Sequence, residues 1–140
     1  MNFTLHPDLK RDGIAMGQFS LSDVLLINDA HYPWFVLVPK RADISDTIDL
    51  TDGDHAQLWK ESQIFSRSIM HVFKGEKLNV AALGNMTPQL HVHHIVRYKI
   101  DAAWPGPVWG KVPMQPYEDT QITDIQYKLV SAHMNGFSPI

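Results

Sequence analysis

The chain has 140 residues, of which 44% are hydrophobic and 19% are charged, and this balance excludes a largely disordered protein. Its length fits one domain over residues 1–140. The formal net charge is −3 with no block of Lys or Arg, and there is no cysteine. These features argue against a nucleic-acid partner and exclude disulfides and Cys-ligated zinc.

The sequence gives no indication of a membrane partner. The first residues lack a basic region followed by an apolar run, and no apolar stretch approaches the roughly 20 residues of a membrane span. We therefore expect a cytoplasmic protein.

Two short apolar runs predict the first pair of strands. Val24–Asn28 ends in turn residues, and Trp34–Val38 lies between Pro33 and Pro39, where proline is tolerated at strand ends. The connection between the two runs is short enough for an antiparallel hairpin.

A long amphipathic helix is predicted from about Thr51 to Lys74. Thr51 is a suitable N-cap, and Asp52 and Asp54 lie beside the positive end of the helix. One face is mainly apolar and contains Leu58, Ser62, Phe65, Ile69, Val72 and Phe73. Gly75 is expected to end the helix.

Two more strands and a last helix complete the predicted order. The strands are Leu78–Leu83 and Leu90–Tyr98, and the helix runs roughly from Asp119 to His133. Between them, the Pro-, Gly- and Trp-rich residues Ala103–Gly110 cannot form a regular helix. The order β-β-α-β-β-α predicts an α+β domain with an antiparallel sheet.

Most candidate chemistry lies at residues 89–97, Gln-Leu-His-Val-His-His-Ile-Val-Arg. Side chains alternate along a strand, so one face carries Gln89, His91, His93, Ile95 and Arg97. The other face is largely apolar and is expected to lie against the core, with His94 in a structural role. It carries Leu90, Val92, His94, Val96 and Tyr98.

The first face suits phosphate chemistry. Neutral imidazole is a nucleophile, and imidazolium can protonate a leaving oxygen. Gln89 and Arg97 could donate hydrogen bonds to phosphate oxygens. His91 and His93 also fit a pair of metal ligands, and such a site would need a carboxylate a few residues later on the same strand. The nearest acid along the chain is Asp101, and the cationic Arg97 lies between His93 and Asp101. Both interpretations stay open on these residues alone.

The motif resembles that of the histidine triad (HIT) superfamily. There, a strand carries His-φ-His-φ-His, with φ an apolar residue, and Arg follows four residues after the last His. Arg97 is four residues after His93, so the resemblance puts His91 at the middle, nucleophilic position and Gln89 at the first. The segments Leu26–Asn28 and Phe35–Lys40 also resemble the family, and Trp104–Gly110 resembles a bacterial branch of small HIT proteins.

The sequence departs from the family pattern at three places. Gln89 replaces the first His, and Trp34 stands where many members have a His. His94 and Val96 replace an apolar residue and the usual proline.

The resemblance implies a HIT-like fold, with an antiparallel sheet, a long helix and a C-terminal helix. It also implies nucleotidyl transfer to His91 followed by hydrolysis. The substrate would be a dinucleoside polyphosphate or a nucleoside phosphoramidate, attacked at the α-phosphate. His93 would bind a phosphate oxygen or protonate the leaving group, and Gln89 would hold a bridging oxygen. Asn28 would contact the ribose, and Asn85 would lie near the phosphates.

No metal or other cofactor is expected, and family members are generally homodimers, with the Trp104–Trp109 segment helping to form the interface. Trp34, Trp104 and Trp109 are candidates for stacking on the base, although large aromatics more often fill cores. The alternative function is a module that binds a nucleotide without turning it over, because the first His is missing.

Overall fold

The computed structural model describes residues 2–140, which form one antiparallel sheet with helices packed around it. The sheet order is β4-β5-β3-β2-β1-β6. Its strands are β1 (Gly13–Gln18), β2 (Ser22–Ile27), β3 (Trp34–Pro39), β4 (Lys77–Ala81), β5 (Val92–Arg97) and β6 (Ser138–Pro139). The helices are α1 (Pro7–Asp12), α2 (Asp52–Val72) and α3 (Asp119–Ser131), with a 3-10 turn at Thr47–Asp49. The predicted α+β fold with an antiparallel sheet is confirmed.

The long predicted helix begins where the sequence indicates. The Thr51 side chain accepts a hydrogen bond from Asp54 N at 3.1 Å. The helix ends two residues earlier than predicted, at Val72, and the positive φ belongs to Lys74 and not to Gly75. Gly75 is needed for a different reason. A Cβ there would lie 2.5 Å from Val96 Cγ1, so only glycine allows this close approach to β5.

Three elements were absent from the predicted order: α1, β1 and β6. α1 has only six residues and is capped by His6 Nδ1, which accepts from Asp8 N at 3.0 Å. Histidine is not among the usual N-cap residues. β1 is irregular at Gly17, and β6 has two residues, so neither carries a readable alternation.

Both faces of the sheet are buried. One face packs against α2, with Phe35, Leu37 and Val96 against Phe65 and Ile69. The opposite face is covered by the N-terminal residues and by residues Ala103–Gly110, which we call the Pro/Trp segment. They form a second core that includes Leu9, Val36, Ile95, Ala103 and Val108. The row of polar residues on β5 is therefore not an open surface, and each buried polar side chain needs a partner.

His94 is a structural residue of the α2-facing core, as predicted. It is fully buried, with Nδ1 2.9 Å from Val92 O and Nε2 2.7 Å from Ser62 Oγ. Because a carbonyl only accepts, Nδ1 carries the proton and Nε2 accepts from the Ser62 hydroxyl. Burial lowers the pKa of His94 to about 4, so the ring is neutral near pH 7.

Among residues 2–140, no helix is long and apolar enough to cross a membrane.

We expect His94→Leu to lower the free energy of unfolding by roughly 1–3 kcal/mol, because the buried Ser62 hydroxyl loses its acceptor. Adding Ser62→Ala should recover part of this loss, since both partners are then apolar. Urea unfolding at neutral pH measures the effect. A single variant as stable as the parent would contradict the assigned bond.

Candidate active site

His91 and His93 meet in one pocket of about 390 Å³. Its walls come from α1, the ends of β2 and β3 and the loop at residues 83–87. Trp109 of the Pro/Trp segment and Met114 complete them. Asn85 also lines this pocket. Of the predicted site residues, the structure thus brings together His91, His93 and Asn85.

His91 immediately precedes β5 and is held by the chain's own backbone. Its Nδ1 lies 2.8 Å from the carbonyl oxygen of Gln89. A carbonyl only accepts, so Nδ1 carries the proton, and the lone pair of Nε2 is left free. The side chain is 8% exposed, and it lines the pocket. This is the arrangement that a nucleophilic imidazole requires.

His93 lies deeper and is surrounded by aromatic rings. Its Nδ1 accepts a hydrogen bond from Trp34 Nε1 at 2.9 Å. The centroid of its ring is 4.8 Å from that of His91 and 5.0 Å from that of Trp109. Burial first, and then the neighbouring His91 and His94, lower the pKa of His93 to about 3, so the ring is neutral near pH 7.

Asp8 and Asp12 line the pocket and were not predicted as site residues. Asp8 accepts a hydrogen bond from Thr87 Oγ1 at 2.8 Å, and this bond is the largest cause of its lowered pKa, which burial opposes. Asp12 is ion-paired with Arg11 at 2.9 Å. Two acids four residues apart after a proline share a helix face, and that pattern could have identified them.

The Gln89 side chain has a different role from the one predicted, and the expected phosphate contact is revised. Its Oε1 accepts from His6 N at 2.8 Å, and its Nε2 donates to Thr4 O at 2.9 Å. Both ends of the amide are therefore occupied by the N-terminal segment that leads into α1. We call this pair of bonds the Gln89 clamp. It fixes the helix that forms one wall of the pocket.

Arg97 is also removed from the predicted set of phosphate donors. It is 1% exposed and forms a bidentate pair with Asp101, at 2.8 and 3.0 Å. Its remaining donors reach Asn79 Oδ1 and Gly106 O, each at 2.8 Å. The guanidinium also lies 5.6 Å from the ring centroid of Trp104. Four of its five N–H groups are thus bonded within the protein, and Arg97 is not among the residues that line the pocket. Arg97 therefore anchors the Pro/Trp segment.

Asn28 is not among the residues that line this pocket, and its Oδ1 accepts from Tyr117 N at 2.8 Å. Its contact with a ribose stays a prediction. Of the three candidate stacking residues, Trp34 and Trp109 line the pocket, and Trp104 packs on Arg97 instead.

Among residues 2–140, no three His, Asp or Glu side chains are grouped so that they could hold a metal ion.

Comparisons with known proteins bear on the family and the fold. A family model described as the HIT domain matches residues 10–100. Similar solved structures include histidine triad proteins from Bradyrhizobium japonicum (45% identity, TM-score 0.93, covering 94% of this chain and 98% of that one) and from Marinobacter aquaeolei VT8 (47%, TM-score 0.92, 94% and 96%).

Among curated proteins, bis(5'-adenosyl)-triphosphatases of Saccharomyces cerevisiae strains are 34% identical over 71 residues. That match covers 47% of this chain and 34% of the relative. The chain therefore spans about a third of the length of the curated relatives that it matches.

We expect Gln89→Ala to release the N-terminal segment. The amide of His6 loses its acceptor, so hydrogen exchange over residues 4–12 should become about tenfold faster, the scale of one lost hydrogen bond. Exchange in α2 should not change. Mass spectrometry measures this, with Gln63→Ala on the exposed side of α2 as the matched control. Equal exchange in the two variants would show that the clamp holds nothing.

The Asp101 carboxylate predicts an acid-dependent loss of stability. Burial by itself raises the pKa of Asp101, but Arg97 and the backbone N–H groups of Tyr98, Ala103 and Trp104 lower it to about 2, from an ordinary 3.8. The folded state therefore binds this proton less readily than the unfolded chain. The stabilisation is complete above about pH 4 and is lost as the pH falls through about 2.

From this group alone, the free energy of unfolding should fall by roughly 2 kcal/mol as the pH drops through that window. Asp101→Asn should lose the stabilisation at neutral pH and show a flatter dependence between about pH 4 and about pH 2. Urea unfolding at a series of pH values tests this, with Asp124→Asn, at an exposed pair with Lys128, as the control. A slope unchanged by Asp101→Asn would refute the linkage.

Proposed function

The chain belongs to the HIT domain family, and on this premise we propose that it is a nucleotide hydrolase or nucleotidyl transferase with His91 as the nucleophile. One observation carries the proposal. The bond from His91 Nδ1 to Gln89 O directs the free Nε2 lone pair of a pocket-lining imidazole away from the backbone. A neutral, oriented imidazole is competent to attack phosphorus at physiological pH.

In the first step, His91 Nε2 attacks the α-phosphorus of a nucleoside phosphate derivative. A P–N bond forms, and the bond to the leaving group breaks with its electron pair on the leaving atom. Water then attacks the phosphorus of the nucleotidyl-histidine and gives up a proton to the solvent. The P–N bond breaks with its electron pair on Nε2, which restores the neutral His91 and releases a nucleoside monophosphate. Splitting the displacement in this way replaces one difficult step by two easier ones. Asn85 lines the pocket, and in this proposal its amide N–H donates to a phosphate oxygen.

The substrate class that we propose is a dinucleoside polyphosphate or a nucleoside phosphoramidate. The partial match to bis(5'-adenosyl)-triphosphatases supports a nucleotide with a phosphate leaving group. Apolar side chains of the lining, including Leu9, Ile27 and Trp109, supply surfaces on which a base can pack.

A module that binds a nucleotide without turnover is the second candidate. The Gln89 clamp favours it, because the side chain at the first triad position bonds the N-terminal segment and is not among the residues that line the pocket. Its amide also has no titratable proton to transfer. Turnover alone separates the two functions, since both predict nucleotide binding.

The homodimer and the cytoplasmic location stay predictions. β4 is an edge strand within the described sheet, with Val80 and the following Leu83 exposed. Such an edge suits pairing with a second copy of the chain.

The test compares the parent with His91→Ala on diadenosine triphosphate and an adenosine phosphoramidate. We expect turnover to fall at least about a thousandfold, because the covalent step is lost. The exposed His71→Ala is the matched control and should behave as the parent. A nucleotidyl adduct on His91, detected by mass spectrometry after an alkaline quench, would confirm the intermediate. Equal turnover in both variants would exclude His91, and a parent that binds adenosine monophosphate but turns over neither substrate would select the binding module.

A further inference from the structure

We propose that Trp34 is a positioning residue that holds His93 as a neutral hydrogen-bond donor, with its single proton on Nε2. This inference rests on the proposed function and decides between the two roles open to His93. The ring would donate a hydrogen bond to the phosphate or leaving group, and it would not act as an imidazolium acid.

The register of the sheet brings the two side chains together. On β3, Trp34 pairs with Ile95, and Val36 pairs with His93. Trp34 and His93 thus project from the same face of adjacent strands, and Trp34 Nε1 lies 2.9 Å from His93 Nδ1. An indole N–H can only donate. His93 Nδ1 must therefore present its lone pair, and the remaining proton of the neutral ring must be on Nε2.

Protonation of His93 would oppose this contact directly. Imidazolium carries a proton on both nitrogens, so its Nδ1–H would face the N–H of Trp34 at hydrogen-bond distance. The ring is 6% exposed, with Trp34 on one side and the edge-on ring of Trp109 on another. Turning the ring away would break this packing, and water cannot readily replace the lost partner.

The groups around His93 do little to favour its charged form. Its titratable neighbours on the chain are His91 and His94, and its paired residues on β3 and β4 are Val36 and Ala81. The carboxylates in the same pocket lining, Asp8 and Asp12, are bonded to Thr87 and Arg11. The low pKa of His93, caused first by burial and next by His91, agrees with a ring that stays neutral.

The proton balance of the first step follows from this arrangement. His91 attacks through Nε2 while keeping its proton on Nδ1, so the imidazole ring of the nucleotidyl-histidine is cationic. Its Nδ1–H continues to donate a hydrogen bond to Gln89 O. The leaving group departs with the bonding electrons. His93 donates a hydrogen bond through Nε2–H but does not transfer this proton. A leaving group that must be protonated therefore takes its proton from solvent water.

The direct test is nitrogen NMR of the full chain labelled with 15N-histidine. In the parent, we expect His93 Nδ1 to remain an unprotonated acceptor from about pH 8 to about pH 5, where an ordinary histidine titrates. In Trp34→Phe, which keeps an aromatic ring but removes the donor, the Nδ1–H tautomer should become populated. Trp59→Phe is the matched control, since it removes an indole N–H that also faces a histidine, His55, but outside the pocket.

The kinetic counterpart is a fall in kcat of about tenfold in Trp34→Phe with little change in KM, because the misplaced proton weakens a bond made in the transition state. Trp59→Phe should match the parent. A parent in which His93 carries its proton on Nδ1, or becomes doubly protonated above about pH 5, overturns the proposal. So does a Trp34→Phe tautomer identical to that of the parent.

The spectra also separate this proposal from the one on which it rests. If the parent turns over no substrate but His93 Nδ1 is unprotonated and responds to Trp34→Phe, the proposed function fails and the positioning role of Trp34 stands. If Trp34→Phe does not fold, the parent spectrum decides, because a protonated Nδ1 is incompatible with the Trp34 bond.

Discussion

The pairing of β5 with β3 and β4, in a sheet that is buried on both faces, is the constraint on which the other features depend. Because both faces of the sheet are buried, the polar side chains of this central strand cannot form their hydrogen bonds with bulk water. Alternation sends His94 into the core beneath α2 and His93 into the opposite core. Each residue must then find a protein partner, and these partners fix its protonation and orientation.

Two further polar residues, Arg97 in β5 and Gln89 just before it, add hydrogen bonds to the segments that cover the second face of the sheet. Arg97 binds Asp101 and the Gly106 carbonyl, and so anchors the Pro/Trp segment that carries Trp109 to the pocket. Gln89 binds the backbone of Thr4 and His6, and so anchors α1. The polar residues on either side of His91 therefore hold the segments that form the walls of its pocket, and the central strand organises both sides of the site.

Local rules in the sequence predicted the main elements and the two faces of β5. The Thr51 cap, the apolar face of α2 and the alternation that buries His94 all depend on near neighbours, and all agree with the structure. The roles of Gln89 and Arg97 could not be derived in that way. Residue type permits many partners, and the partners of Gln89 are more than 80 residues away along the chain. Likewise, Trp34 was visible as a departure from the family, but its bond to His93 follows only from the register of β3 and β5.

The Gln89 clamp has a consequence for how the N-terminal segment can vary over evolution. The amide of Gln89 reads only main-chain groups, the carbonyl of residue 4 and the N–H of residue 6. Side chains at these two positions can therefore drift without breaking the clamp, whereas proline at position 6 would delete its donor. The clamp therefore does not constrain most side chains in the N-terminal segment. Relatives that keep the clamp are expected to show little sequence similarity in that segment.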